Sequence, residues 1–162
     1  MDKIASFTVN HLTLEPGVYV SRKNRLGRDG SVVVTTFDLR MTAPNREPVM
    51  GTAEVHAIEH LGATLLRNDP QWRDRVVYFG PMGCRTGFYL ILEGDLEPRD
   101  VIDLVTRTYQ GIVDWQGEIP GAQPRDCGNW HDSDLTLARW WARRYMEGTL
   151  RDIDDAHMSY PD

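Results

Sequence analysis

The sequence lacks the features that mark several large classes of protein. No apolar run approaches the ~20 residues that a membrane-spanning helix needs, so we expect no membrane partner. The first residues contain no apolar core of a secretory signal, which predicts a cytoplasmic protein. Lys and Arg number only 18 against 24 Asp and Glu, and the net charge of −6 argues weakly against nucleic acid as a partner.

Cysteine is also scarce, because the 162 residues contain only two, Cys84 and Cys127. In the reducing cytosol such cysteines are more often thiols or metal ligands than a disulfide. The hydrophobic content of 41% and charged content of 26% are typical of a soluble globular protein. We therefore expect residues 1–162 to form a single domain, with the polar, acidic tail after about residue 149 poorly ordered.

Hydrophobic periodicity predicts seven elements in the order β-β-α-β-β-α-α. The predicted strands cover residues 17–22, 31–41, 75–79 and 86–93, and the predicted helices cover residues 50–68, 95–116 and 133–147. Asp29-Gly30 predicts a hairpin turn, the strand at 75–79 is expected to be buried, and Ser133 is the expected N-cap of the last helix. This order predicts an α+β fold, an antiparallel β-sheet with helices packed on one face.

Two histidines, His56 and His60, lie four residues apart in the first predicted helix. Residues at this spacing lie one turn apart on the same face, so both imidazoles could reach one metal ion. Glu59 lies near the same face and could act as a base beside the metal. H-x-x-E-H is a known metallopeptidase pattern, but short His and Glu patterns also arise by chance on amphipathic helices. The pentapeptide alone is equally compatible with a metal site and with ordinary helix residues.

A metal site needs further ligands, four in all for a structural site and three for a catalytic site with an open position. Cys127 lies in a glycine-containing loop that could deliver a thiolate. Cys84 lies in a glycine-rich turn beside Arg85, a cation that favours the thiolate, so it could be a fourth ligand, an acid/base or a nucleophile. Each cysteine is also compatible with a small buried residue. The other candidates are His11, His131 and His157.

The segment PMGCRTGFYL at residues 81–90 resembles the signature of the S-ribosylhomocysteine lyase family, the LuxS-type autoinducer-2 synthases. Other marks of that family occur in the right order, and together they extend from about Ser6 to the last predicted helix. These marks are Ser6-Phe7, Asn10-His11, Phe37-Asp38-Leu39-Arg40, Pro44-Asn45, His56-x-x-Glu59-His60, Cys127-Gly128-Asn129 and Asp132-x-Asp134-Leu135.

The resemblance implies an enzyme, a carbon–sulfur lyase that cleaves the thioether of S-ribosylhomocysteine to homocysteine and 4,5-dihydroxy-2,3-pentanedione, the autoinducer-2 precursor. In such a reaction the ribose carbonyl migrates by two enolisations until the thiolate can be eliminated. Each enolisation needs a Lewis acid on the oxygens and a base that takes a proton from one carbon and returns it to the next. Membership of the family also implies a homodimer with the active sites at its interface.

The same resemblance implies roles for particular residues. The family metal would be held by His56, His60 and Cys127, with Fe²⁺ the usual ion and Zn²⁺ or Co²⁺ able to replace it. Cys84 as thiolate and Glu59 as carboxylate would move the protons. Three residues match positions that line the substrate site, namely Ser6, His11 and Arg40.

Two readings from other classes stay open at this point. The first is an H-x-x-E-H zinc metallopeptidase, which would normally need a downstream carboxylate ligand. The second is a non-catalytic metal-binding module in which both histidines and both cysteines close the site. The chain also departs from many family members at Thr36 and at residues 78–80, which suggests a divergent branch or an inactive relative.

Overall fold

The structure is a computed structural model that describes Ile4 and residues 7–161. Within these residues the chain forms four strands and three α-helices in the predicted order, with short helical turns between and after them. The strands are β1 (Gly17–Leu26), β2 (Val32–Arg40), β3 (Val76–Pro81) and β4 (Gly87–Glu93). The helices are α1 (Thr52–Asn68), α2 (Pro98–Asp114) and α3 (Leu135–Tyr145).

The strands form one antiparallel sheet in the order β1-β2-β4-β3. The connection from β1 to β2 contains Asp29 and Gly30, as predicted. Side chains alternate between the two faces of a strand. Phe37 and Leu39 of β2 therefore point into the core beneath the helices, whereas Asp38 and Arg40 point to the opposite face. The predicted α+β fold is confirmed.

The helices bury one face of this sheet. The inward positions predicted for α2 are all buried, from Val101 to Ile112. Helix α3 adds Tyr145, whose ring meets Tyr109 edge to face at 4.9 Å, and the buried Trp141. Within the described part of the chain, none of the helices combines the length and apolar character needed to cross a bilayer.

Two local predictions at element ends and edges are wrong. Strand β3 is an edge strand, and Val77 and Tyr78 are 51% and 46% exposed rather than buried. Ser133 is not the N-cap of α3, because the neighbouring Asp134 accepts the hydrogen bond from the Leu137 amide at 2.8 Å. Both residue types suit an N-cap, so composition could not separate adjacent positions.

The described residues after 149 lie against the sheet and the helical layer. Met158 is buried, and Tyr160 reaches the polar face with its hydroxyl 2.9 Å from Asp38. An ion pair between Arg99 of α2 and Asp155 attaches the tail to the helical layer. A polar, acidic composition predicts disorder only when the segment finds no tertiary contacts.

Gly62 of α1 lies directly against the ring of Phe79 in β3. A Cβ built at Gly62 would lie 2.4 Å from the ring of Phe79, which is itself stacked on Phe88. The glycine therefore sets how closely the helix that carries His56 and His60 can approach β3.

Gly62→Ala should lower the free energy of unfolding by up to about 2 kcal/mol. Overpacking costs about 1–3 kcal/mol, whereas alanine gains about 1 kcal/mol of helix propensity, and the stacked Phe79 ring has little room to retreat. Urea denaturation at a fixed metal loading measures the change. Gly148→Ala is the matched control, since its Cβ would meet nothing within 4 Å. Equal stability of both variants would contradict this packing account.

Candidate active site

Helix α1 presents His56 and His60 on one face, with ring centroids 4.6 Å apart. The start of the helix is fixed by Glu54, which accepts a hydrogen bond from the Gly51 amide at 2.5 Å. The buried Glu54 carboxylate also accepts from the Trp141 indole of α3 at 3.3 Å. The first turn of α1 is thereby tied to α3, which holds the two imidazoles in place.

The loop before α3 orients both imidazole rings. His56 Nδ1 lies 2.7 Å from the Asp132 carbonyl oxygen, and His60 Nδ1 lies 2.7 Å from the Pro120 carbonyl oxygen. A carbonyl only accepts hydrogen bonds, so each ring donates through Nδ1–H. Each Nε2 lone pair is therefore left for another partner, which is the usual arrangement of metal-ligating histidine.

The same loop brings Cys127 to the histidines. Cys127 Sγ lies 3.3 Å from His56 Nε2, and ligand-type atoms of His56, His60 and Cys127 all lie within 4.8 Å of one another. The Asn129 amide lies 3.5 Å from Sγ, where it can donate to a thiolate. Two neutral imidazoles and one thiolate form a set of three donors for a divalent transition metal. The donor set therefore fits the metal that the sequence predicted.

Cys84 is not a member of this cluster in the part of the chain that the structure describes. A closed four-ligand site would need it, and a peptidase site would need a third, carboxylate ligand. The cluster instead holds three donors, the number typical of a catalytic centre with an open position. Neither alternative reading gains support from this geometry.

Glu59 lies on the same helix between the two histidines. It shares one groove with His56 and a second groove with His60. Among the described residues, its carboxylate has no hydrogen-bond or ion-pair partner. A half-buried, unpartnered carboxylate beside the donor cluster is available to take up a proton.

Cys84 lies in the tight turn between β3 and β4, and its side chain is exposed. Backbone hydrogen bonds close the turn, from the Met82 amide to the Gly87 carbonyl at 3.0 Å and from the Arg85 amide to the Met82 carbonyl at 2.9 Å. Arg85 has a φ of 59°, an uncommon conformation for a residue with a side chain. The turn therefore holds the thiol in a defined place at the edge of the sheet.

Arg40 faces this thiol from β2. Its Nη1 lies 4.0 Å from Cys84 Sγ and donates to Thr86 Oγ1 at 2.5 Å, and Thr86 Oγ1 lies 3.1 Å from Sγ. Arg40 is only 4% exposed. The Asp38 carboxylate accepts from Arg40 Nε at 3.1 Å and from Nη2 at 2.5 Å. Burial raises the pKa of Asp38, while the Arg40 guanidinium opposes that rise.

A cavity of about 270 Å³ opens above this pair. Cys84, Arg40 and Asp38 line it, together with His11, whose Nδ1 donates to the Val9 carbonyl at 2.9 Å. Two of the predicted substrate-site residues, His11 and Arg40, thus meet at one cavity. The third, Ser6, lies outside the described residues.

The donor cluster and the thiol cavity lie on either side of the β3–β4 turn. Met82 and Gly83 of that turn line both the cavity beside Cys84 and the groove beside His56 and Glu59. The turn is the common wall of two half-sites, one with metal-type ligands and one with a thiol. A substrate that reaches around this wall would touch both.

Sequence reasoning missed two residues that line the thiol cavity, Asp38 and Tyr160, and one that contacts both Arg40 and Cys84, Thr86. Asp38 and Thr86 both stand in segments quoted for the family resemblance, yet neither was assigned a role. The alternation of β2 placed Asp38 on the same face as Arg40, which was a usable signal. Nothing local linked Tyr160 to this site, since it is 120 residues away from Arg40 in the chain.

The sequence is similar to those of known proteins over its whole length. The sequence model of the S-ribosylhomocysteinase (LuxS) family matches residues 4–156. A protein of Clostridium acetobutylicum named S-ribosylhomocysteine lyase is 57% identical over 162 residues, which cover 100% of both chains. Proteins of the same name from Finegoldia magna and Clostridium beijerinckii are 54% and 53% identical, over at least 99% of each chain.

The family match includes α1, the β3–β4 turn and the loop that carries Cys127, so it covers both half-sites. The family model matches most of the chain and the relatives match all of it, so the chain belongs to the S-ribosylhomocysteinase (LuxS) family.

Proposed function

We propose that this chain is a carbon–sulfur lyase that cleaves S-ribosylhomocysteine to homocysteine and 4,5-dihydroxy-2,3-pentanedione, the autoinducer-2 precursor. The observation that carries the proposal is the convergence of His56, His60 and Cys127 within 4.8 Å, beside the unpartnered Glu59, in a chain of this family. The relatives that match over their whole length bear the name of this activity.

His56, His60 and Cys127 are the residues that would hold a divalent metal, and we propose Fe²⁺ as the native ion by resemblance, with Zn²⁺ or Co²⁺ as replacements. When bound, the metal supplies Lewis acidity toward the oxygens of the sugar. Cys127, as a thiolate ligand, would offset part of the charge of a divalent metal held at this site. The carbonyl acceptors at Asp132 and Pro120 hold the imidazoles in the tautomer that binds metal.

Cys84 and Glu59 are the proposed proton carriers. Each carbonyl migration removes a proton from the carbon next to the carbonyl and returns one to the former carbonyl carbon. The thiolate Sγ of Cys84 and the carboxylate of Glu59 accept and deliver these protons from opposite sides of the β3–β4 turn. In the last step, loss of one more proton expels the homocysteine thiolate, which takes up a proton on release.

The Arg40 cavity is the proposed site for the part of the substrate remote from the metal. Nε and Nη2 of Arg40 both donate to the Asp38 carboxylate. The two opposite charges offset each other, so the pair presents little net charge to a ligand. Arg40 Nη1 instead faces Cys84 Sγ at 4.0 Å and donates to Thr86 Oγ1. We assign His11 and Arg40 to this cavity and retain Ser6 as a proposed neighbour.

The two free cysteines also bear on where the protein works. Both Cys84 and Cys127 are unpaired thiols, and an active Fe²⁺ site needs at least one of them as a thiolate. A reducing compartment preserves such thiols. We therefore propose a cytoplasmic location.

Cys84→Ala should abolish release of free thiol from S-ribosylhomocysteine while metal content stays at the wild-type level. Loss of an acid/base group costs about 10²–10⁴-fold in rate, and Cys84 lies outside the donor cluster. Anaerobic mixing with substrate and a thiol-reactive dye measures the rate, and metal analysis provides the control. Full activity of Cys84→Ala would exclude its role, and no activity of the metal-loaded wild type would contradict the proposed reaction.

Cys127→Ala should lose metal, because it removes one of three ligands. Even the loss of a group that only orients a ligand costs about 10–100-fold in metal affinity, so loss of the ligand itself should cost at least as much. Equilibrium dialysis against Co²⁺, with its visible absorption bands, measures the affinity. Cys84→Ala is the matched cysteine control. Unchanged Co²⁺ affinity of Cys127→Ala would show that the third ligand lies elsewhere.

A homodimer is the proposed assembly, with the active sites at its interface. Phe7 and Leu12, beside the His11 cavity, are 68% and 72% exposed, and large exposed apolar side chains next to a site often mark an interface. Sedimentation equilibrium should give twice the chain mass, and Leu12→Lys should shift the protein toward monomer and lower activity. A wild-type monomer with full activity would contradict the assembly.

A further inference from the structure

The tail after α3 crosses the end of the sheet and ends beside the thiol cavity. The close crossing depends on Gly17, because a Cβ there would lie 2.2 Å from the His157 carbonyl oxygen. Arg99 pairs with Asp155, and Met158 is buried. Contacts with Gly17 of β1 and Arg99 of α2 thus fix the position of the tail.

The tail places Tyr160 beside the thiol cavity. Its ring stacks on Tyr19 with centroids 4.8 Å apart, and it lines the cavity beside Cys84. Its hydroxyl donates to Asp38 Oδ2 at 2.9 Å. Burial, and then the nearby Asp38 carboxylate, raise the pKa of Tyr160 far above its ordinary value, so the hydroxyl stays protonated and remains a donor.

Tyr160 is the first member of a continuous series of contacts that ends at the thiol. Asp38 accepts from Tyr160 and from two nitrogens of Arg40. Arg40 Nη1 in turn donates to Thr86 Oγ1 and faces Cys84 Sγ at 4.0 Å. Asp38 and Arg40 are 1% and 4% exposed, so few other partners can take over if one contact is lost.

We propose that Tyr160 is a positioning residue for the lyase reaction, holding the Asp38–Arg40 pair in the geometry that keeps Cys84 reactive. The proposal rests on the function proposed above, but Tyr160 lies beyond residues 4–156 that match the family. Its hydroxyl satisfies a buried carboxylate oxygen that already binds Arg40. Without it, that oxygen must recruit water or draw the guanidinium away from the thiol.

Tyr160→Phe is the test variant, because it removes the hydroxyl and keeps the ring that stacks on Tyr19. We expect kcat for S-ribosylhomocysteine to fall about threefold to tenfold with KM within about twofold, since the lost hydrogen bond acts through Cys84. We also expect alkylation of Cys84 by iodoacetamide in the metal-loaded protein to slow by about twofold or more. Peptide mass spectrometry separates Cys84 from Cys127.

Tyr19→Phe is the matched control, because the Tyr19 hydroxyl donates to the Glu15 carbonyl at 2.9 Å and not to Asp38. It should keep both the wild-type kcat and the wild-type Cys84 alkylation rate. An unchanged kcat or an unchanged Cys84 alkylation rate in Tyr160→Phe would overturn the proposal, as would equal losses in both variants. If the wild type fails to act on S-ribosylhomocysteine, the alkylation rates still decide whether Tyr160 positions Cys84.

Discussion

The arrangement of side chains around Cys84 depends on a buried pair of opposite charges, Arg40 and Asp38. Two charges removed from water are stable only when their remaining hydrogen-bonding groups are satisfied. Thr86, between β3 and β4, accepts a hydrogen bond from Arg40, and Tyr160, in the tail, donates one to Asp38. Tyr160 and Thr86 therefore connect the tail and the turn beside Cys84 to the Asp38–Arg40 pair of β2.

The metal-type half-site depends on a different kind of contact, backbone carbonyls that fix imidazole rings. The loop before α3 accepts from His56 and His60 and also carries Cys127. One loop thus sets both the tautomer of two ligands and the place of the third. The β3–β4 turn separates this cluster from the thiol cavity, and Met82 and Gly83 line both. We propose that one substrate molecule spans the two half-sites.

The sequence predicted the elements whose signal is local. Helix geometry explains the apolar stripe of α1 and the placement of His56 and His60 on one face. The glycines around Cys84 correctly predicted that this cysteine lies in a turn. The surroundings of Arg40 could not be predicted, because the pair it forms with Asp38 also contacts Tyr160, which is remote in the chain and lies in a segment with the composition of a disordered tail. Ser133 and Asp134 are adjacent and both residue types suit an N-cap, so the sequence could not decide which of them caps α3.

The most direct test of the account is a crystal structure of metal-loaded Cys84→Ala with S-ribosylhomocysteine bound. The variant keeps the three candidate ligands, so the substrate should bind without completing the reaction. The account predicts one molecule with its sugar at the His56–His60–Cys127 cluster and its amino-acid end in the cavity lined by Arg40. A molecule confined to one half-site, with the other half-site out of its reach, would contradict the claim that both act on one substrate.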